Sequence, residues 1–197
     1  STTTSNTQGV PIGTIAYQTF VQVEQQSYAT SYIPTSGSTV TRNQDVCTNG
    51  GSLATINSTE GVLYAEIAAL ANSGGNRIIS LSNGSEDQRV IIFFSSTSNQ
   101  VRAISANGGL NYCNISFIAP NVLDYLKVAF KFKQNDFALW VNGIEVATDT
   151  NGITSIGLNE LAFDNGSGGA NFFGKTKAVA VWKEALSDQE LTELTTI

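Results

Sequence analysis

Apolar and polar residues alternate at every second position along much of the chain, the period of a strand with one face buried. The clearest run is Lys127–Lys133, where Val128, Phe130 and Phe132 share one side. Three turn residues, Gln134-Asn135-Asp136, lead into Phe137–Val141, where Phe137, Leu139 and Val141 can pair with that side to give a six-residue apolar inner face. By the two-residue period, Ala129, Lys131, Ala138 and Trp140 then point the other way, toward solvent or a covering loop. Asn142-Gly143 follows, a pair that readily takes the two positive φ values of a type I′ turn, and Glu145–Thr148 forms the returning strand. Further strands are predicted at Gly61–Ile67, Asn76–Ser82, Arg89–Phe94, Val101–Ala106, Asn114–Ile118, Glu160–Phe163 and Thr176–Lys183, the Lys127 run itself extending over Asp124–Phe132. Ser73-Gly74-Gly75, Asn83-Gly84, Asn107-Gly108-Gly109 and Asn151-Gly152 punctuate them as turns. Many short strands with no helical period between them predict an all-β, antiparallel two-sheet jelly-roll sandwich. The last strand runs into Ser187-Asp188-Gln189-Glu190, a Ser-x-x-Glu capping box that opens a short C-terminal helix with Leu191 and Leu194 on one side.

Residues 1–45 have a different texture. STTTSNTQGVPIGT is small and polar, AYQTFVQVEQ alternates like a strand, and the stretch after it is rich in turn formers, so 1–45 reads as a connector or lead-in segment with one possible strand and 46–197 as the sandwich domain. A chain of 197 residues with 41% hydrophobic residues supports one sizeable core. Charged residues are only 13%, about half the usual globular share, as befits a polar-faced β protein with many turns. The net charge is −6 and no Lys/Arg run occurs, so the electrostatic footprint needed to grip a phosphate backbone is missing and nucleic acid is excluded as the expected partner. No apolar run approaches the roughly 18 residues of a membrane span, which excludes membrane insertion by a helix, and the opening residues lack the basic and apolar regions of a signal peptide. The absence of methionine reads as a piece processed or excised from a longer polypeptide. With no histidine, an imidazole-rich metal site is excluded, and neither Cys47 nor Cys113 belongs to a C-x-x-C pair; a disulfide between them and two buried thiols both fit.

The order of elements at the end of the chain, with Gly174, Val179, Val181, Trp182, Ala185, Leu186, Ser187, Asp188, Glu190 and Leu191 in place, resembles the close of laminin-G-like domains of the concanavalin A-like lectin/glucanase superfamily. The resemblance covers about residues 46–197. It implies a concanavalin A-like sandwich and makes Glu60–Ile67 the first core strand, although the alanine-rich stretch Tyr64–Ala71 favours helix by propensity. A second stretch, Tyr28–Asp45, is similar to a junction found in phage and marine bacterial proteins, written T-S-Y-I-P-T-x-G-x-x-V-T-R-x-x-D. It lies there between a carbohydrate-binding-like module and a laminin-G-like one. Thr30, Ser31, Tyr32, Ile33, Pro34, Thr35, Gly37, Val40, Thr41, Arg42 and Asp45 match it.

Two groups of residues are candidates for binding. Trp140 on an outer face offers a flat ring for the C–H side of a sugar, with Lys131 beside it to bond hydroxyls; a Trp capped by another segment or subunit is the alternative. The loop Asp164–Asn171 is glycine-rich and carries a carboxylate and side-chain amides in Asp164, Asn165 and Asn171, the inventory of a rim loop for sugar or weakly held Ca²⁺. Trp182 is expected to pack against the helix and Leu186, and Glu86-Asp87 to be a solvated turn. No metal or cofactor is called for, because one Asp with amide donors falls short of a high-affinity Ca²⁺ set.

Catalysis is disfavoured by what the chain lacks. Glucanases on this fold need a Glu-x-Asp-x-(x)-Glu strand that sets two carboxylates about 5 to 5.5 Å apart, and none occurs; Glu160 and Asp164 are the nearest approach. Mechanisms that depend on histidine are excluded with it. The expectation is therefore a non-catalytic glycan-binding domain of a phage tail fibre or related virion adhesin, extracellular or on the virion surface, engaging a polysaccharide and assembled as a homo-oligomer, a trimer in a fibre. Two alternatives stand beside it: a carbohydrate-binding module of a secreted bacterial polysaccharide-degrading protein, and a structural oligomerising spacer.

Overall fold

The computed structural model describes residue 34, residues 36–40 and residues 50–197. The chain divides into two compact units, Ser1–Asp45 and Val46–Ile197. The strand expected within AYQTFVQVEQ, most of the Tyr28–Asp45 junction, and Cys47 lie outside the described residues.

All ten expected strands form, two with the expected bounds and the others with ends shifted by at most four residues. They are β1 Glu60–Ala69, β2 Arg77–Ser82, β3 Arg89–Phe94, β4 Gln100–Asn107, β5 Leu110–Ile118, β6 Leu126–Lys133, β7 Phe137–Val141, β8 Ile144–Asp149, β9 Glu160–Ala162 and β10 Gly174–Trp182, followed by helix α1 at Asp188–Thr195. They build two five-stranded sheets, in the orders β10-β1-β6-β7-β8 and β5-β4-β3-β2-β9. Every strand pair is antiparallel.

The interior lies between the sheets, and the six residues singled out in the β6–β7 hairpin all enter it. Phe130 pairs with Leu139 and Val128 with Val141, which fixes the register so that both strands point the same alternation inward. Phe130 also stacks on Phe137 with ring centres 6.1 Å apart. From the facing sheet, Ile79, Leu81, Val90, Ile92 and Phe94 complete the core. The hairpin turn takes the predicted form, with φ 51° at Asn142 and 83° at Gly143.

The alanine-rich first strand is strand and not helix, and its place in the sheet explains its composition. β1 lies between β10 and β6. Leu63, Ala65, Ile67 and Ala69 face the interior, while Val62 and Tyr64 face a second apolar cluster on the opposite side. A strand buried on both faces loses the polar half of its alternation, leaving a near-continuous apolar run that resembles a helix in propensity.

The second cluster is the underside of α1. Val62, Tyr64, Ala129, Ala138 and Trp140 meet Leu191 of the helix, with Trp182, Leu186 and Leu194 packed around them. The capping box forms as read: Ser187 Oγ accepts from the Glu190 backbone N–H at 3.4 Å, and the Ser187 backbone N–H donates to the Glu190 carboxylate at 2.8 Å. The bonds from the Ser187 side chain and backbone hold the Glu190 carboxyl below its usual pKa. At the far end, Thr195 Oγ1 accepts from the Gly143 N–H at 3.0 Å, tying the helix to the β7–β8 turn.

Candidate functional site

The structure corrects the reading of Trp140 and Lys131 as an exposed sugar platform. Trp140 does point to the outer face of its sheet, but α1 lies over that face and leaves the residue 6% exposed. Lys131, 8% exposed, ends between two carboxylates, with Nζ 2.8 Å from Asp136 and 3.7 Å from Asp188 at the start of the helix. An ammonium held near the first helical turn by an acidic residue fixes the helix over the sheet instead of awaiting a hydroxyl. The sequence signal was present in the amphipathic helix, but which surface Leu191 would cover is set by the path of the chain through Ala185 and Leu186.

The loop Asp164–Asn171 turns most of its polar groups inward. Asp164 is buried and its Oδ1 accepts the Gly166 N–H at 2.7 Å. Asn165 Oδ1 accepts from the backbone N–H groups of Ser167 and Gly169 at 3.1 and 2.8 Å. Its Nδ2 donates to Glu86 at 2.5 Å, and Ser167 Oγ donates to the same carboxylate oxygen at 3.0 Å. Arg89 joins the group, donating to the Asn165 carbonyl at 2.8 Å and pairing with Glu86 at 3.1 Å. Glu86 is thus the strut of this loop, a role beyond the solvated turn expected for it. Asp164 Oδ1 and Asn165 Oδ1, two of the oxygens proposed for sugar or Ca²⁺, accept from the loop's own N–H groups, and among the described residues no group of three or more His, Cys, Asp or Glu could hold a metal ion. Glu160 is engaged too, accepting from Ser82 Oγ at 3.0 Å.

Asn171 differs from its neighbours in the loop. It lines a cleft of about 440 Å³ at one end of the sandwich, formed between the β1–β2 connection and the segment leading into β10, with Leu70, Asn76, Arg77, Ala170 and Phe173 among its walls. Among the described residues the Asn171 side chain makes no hydrogen bond. Asn76 Oδ1 accepts from the Ser96 N–H at 3.2 Å, which orients that amide at the rim.

Phe173 gives the cleft its aromatic surface. Just before β10, Phe172 turns inward, where it meets Phe94 at 6.0 Å and Phe163 at 5.9 Å, and Phe173 turns outward, 53% exposed. Gly174 makes this possible: a Cβ there would come within 2.6 Å of the Phe172 ring and 2.7 Å of the Ala68 carbonyl oxygen. Exposing a phenyl ring at the wall of a concave, mostly apolar surface with side-chain amides beside it is the arrangement of a small-ligand site. The sequence held the clue in Phe172-Phe173-Gly174, since two adjacent aromatics in an extended segment cannot both be buried on one face. What it did not show is that residues 70–77 fold back to meet them.

Comparison with known proteins places the fold. No protein-family model matches the chain, and no curated protein matches its sequence. Solved structures do match in shape. The leech intramolecular trans-sialidase superposes with a TM-score of 0.58 at 20% identity over 72% of this chain and 24% of that one. The CBM40 of the Ruminococcus gnavus IT-sialidase, bound to α2,6 sialyllactose, gives 0.58 at 18% identity over 74% and 92% of the respective chains. The binding domain of botulinum neurotoxin serotype G gives 0.53 at 13% identity over 76% and 44%. The sandwich is therefore a jelly roll of the architecture shared by these domains.

Proposed function

We propose that this chain is a non-catalytic glycan-binding module whose ligand occupies the cleft between Leu70–Arg77 and Ala170–Phe173. The observation that carries the reading is the outward Phe173 ring beside the uncommitted Asn171 amide in a concave site. A pyranose ring has an apolar C–H face and a hydroxyl rim, and an aromatic wall flanked by amides is complementary to both. The shared architecture with a CBM40 that holds sialyllactose supports the same reading. The absence of a paired carboxylate motif and of histidine supports binding without turnover.

The finer placement rests on sequence alone. The Gly174–Leu191 ending favours the laminin-G-like branch, and the Tyr28–Asp45 junction favours a phage tail fibre or related virion adhesin, extracellular and homo-oligomeric, over a module of a secreted polysaccharide-degrading protein. A structural spacer would bind no glycan at all. Calorimetric titration against glycans selected on an array tests the site: Phe173→Ala is expected to weaken binding by about tenfold or more, and Asn171→Ala by about five- to tenfold, each with the fold intact. Affinity unchanged in both variants would remove the cleft from consideration.

A further inference from the structure

Among the described residues the cleft has one charged residue in its walls, Arg77, and no carboxylate. Arg77 begins β2 on the same side as Ile79 and Leu81, so its side chain closes the end of the core and lies over the Phe94 ring, 5.6 Å from guanidinium carbon to ring centre. The residue is 7% exposed. Nη1 donates to the Ala71 carbonyl at 2.6 Å and Nη2 to the Ser95 carbonyl at 3.3 Å, while the buried Nε–H has no acceptor among the described residues. Arg77 takes part in none of the ion pairs among the described residues.

A guanidinium keeps its charge throughout the physiological range, and a buried charge is normally matched by an opposite one. Among the described residues two neutral carbonyls supply hydrogen bonds but no countercharge, and one N–H goes unmatched. Arg77 lines the cleft, whose volume of about 440 Å³ admits a monosaccharide. We infer that the cleft takes an acidic sugar, its carboxylate set against the Arg77 guanidinium while the ring lies along Phe173. This rests on the glycan reading and narrows it to the class of carboxylate-bearing sugars. The low dielectric around Arg77 strengthens attraction to an anion, and no wall carboxylate opposes it. An arginine serving only to join the Ala71 and Ser95 carbonyls would confer no preference for acid.

The test compares acidic and neutral partners by calorimetry on the full chain. One arm sets 3′-sialyllactose against lactose; the other sets trigalacturonate against its carboxyl-reduced trisaccharide, so the two sources of carboxylate are told apart. At least one acidic sugar is expected to bind about tenfold or more tightly than its neutral counterpart, to weaken as salt is raised, and to lose that preference in Arg77→Gln. Because Arg77 is buried and its replacement can impair folding, the wild-type protein supplies an independent readout: the Arg77 Nε–H resonance should shift on titration with the acidic sugar and stay in place with the neutral one. Equal binding of acidic and neutral sugars, with affinity that still depends on Phe173, would overturn the acidic assignment and leave the glycan site standing. A preference for acid that survives Arg77→Gln, or an unmoved Nε–H resonance, would remove Arg77 from the site. Binding of none of the four sugars would overturn both readings.

Discussion

Trp140 shows how far a single side chain's role depends on what covers it. The two-residue period placed it on the outer face correctly, and a Trp on such a face suits either a ligand or a lid. The lid is present, so replacing the indole by a methyl group leaves a void under Leu191. Trp140→Ala is expected to lower stability by about 3 kcal/mol or more in chemical denaturation, with glycan affinity of the folded fraction unchanged. A stable variant with lost affinity would reverse that assignment. Cys113 is a second instance. Among the described residues it is a free, buried thiol, and burial, aided by the negative charge of Asp149, pushes its pKa from an ordinary 9.0 up to about 12. The folded state therefore holds the proton that the unfolded state releases. This contribution to stability is complete below pH 9.0 and is lost as pH rises toward about 12. In a Cys47→Ser variant, the remaining thiol should react with a disulfide reagent at pH 8 at a rate set by opening of the sandwich, and rapidly in denaturant; rapid reaction in the native state would contradict the burial.

At the scale of elements, α1 is too short to be stable alone, so its formation depends on the cap at one end and the apolar face it covers. Removing the cap hydroxyl by Ser187→Ala should cost about 1 kcal/mol and loosen the helix, with a red shift of fluorescence from Trp140 and Trp182 as water reaches them. No change in either would mean that packing through Leu191 alone holds the helix. The strands were legible because each half-buried one carries its own period, and the Asn142-Gly143 turn because its backbone conformation restricts the residues that fit. β1 was harder, as its two buried faces erase the alternation. The Asp164–Asn171 loop was misread in part because glycines and amides serve equally to bind a ligand or to satisfy the loop's own backbone. Only the contacts to Glu86 and Arg89 decide between them.

For the molecule as a whole, the sandwich was readable and the cleft proposed for a ligand was not. The inner face needs only agreement between neighbouring strands, which sequence patterns encode locally. The cleft joins Leu70–Arg77 to Asn171 and Phe173, segments about a hundred positions apart, and no local pattern records that meeting. Asn171 was named through its loop, while the places of Phe173, Asn76 and Arg77 in the cleft wall emerged only once the ends of β1, β2 and β10 came together.

Phe172 and Phe173 are joined by one peptide bond yet answer to different demands. The inward ring is constrained by Phe94 and Phe163 and tolerates little change of shape, whereas the outward one is bounded mainly by what comes to it from solution. The second position therefore accepts a change of ring, phenyl for phenol or indole, that alters the cleft wall, while the adjoining residue keeps the architecture fixed.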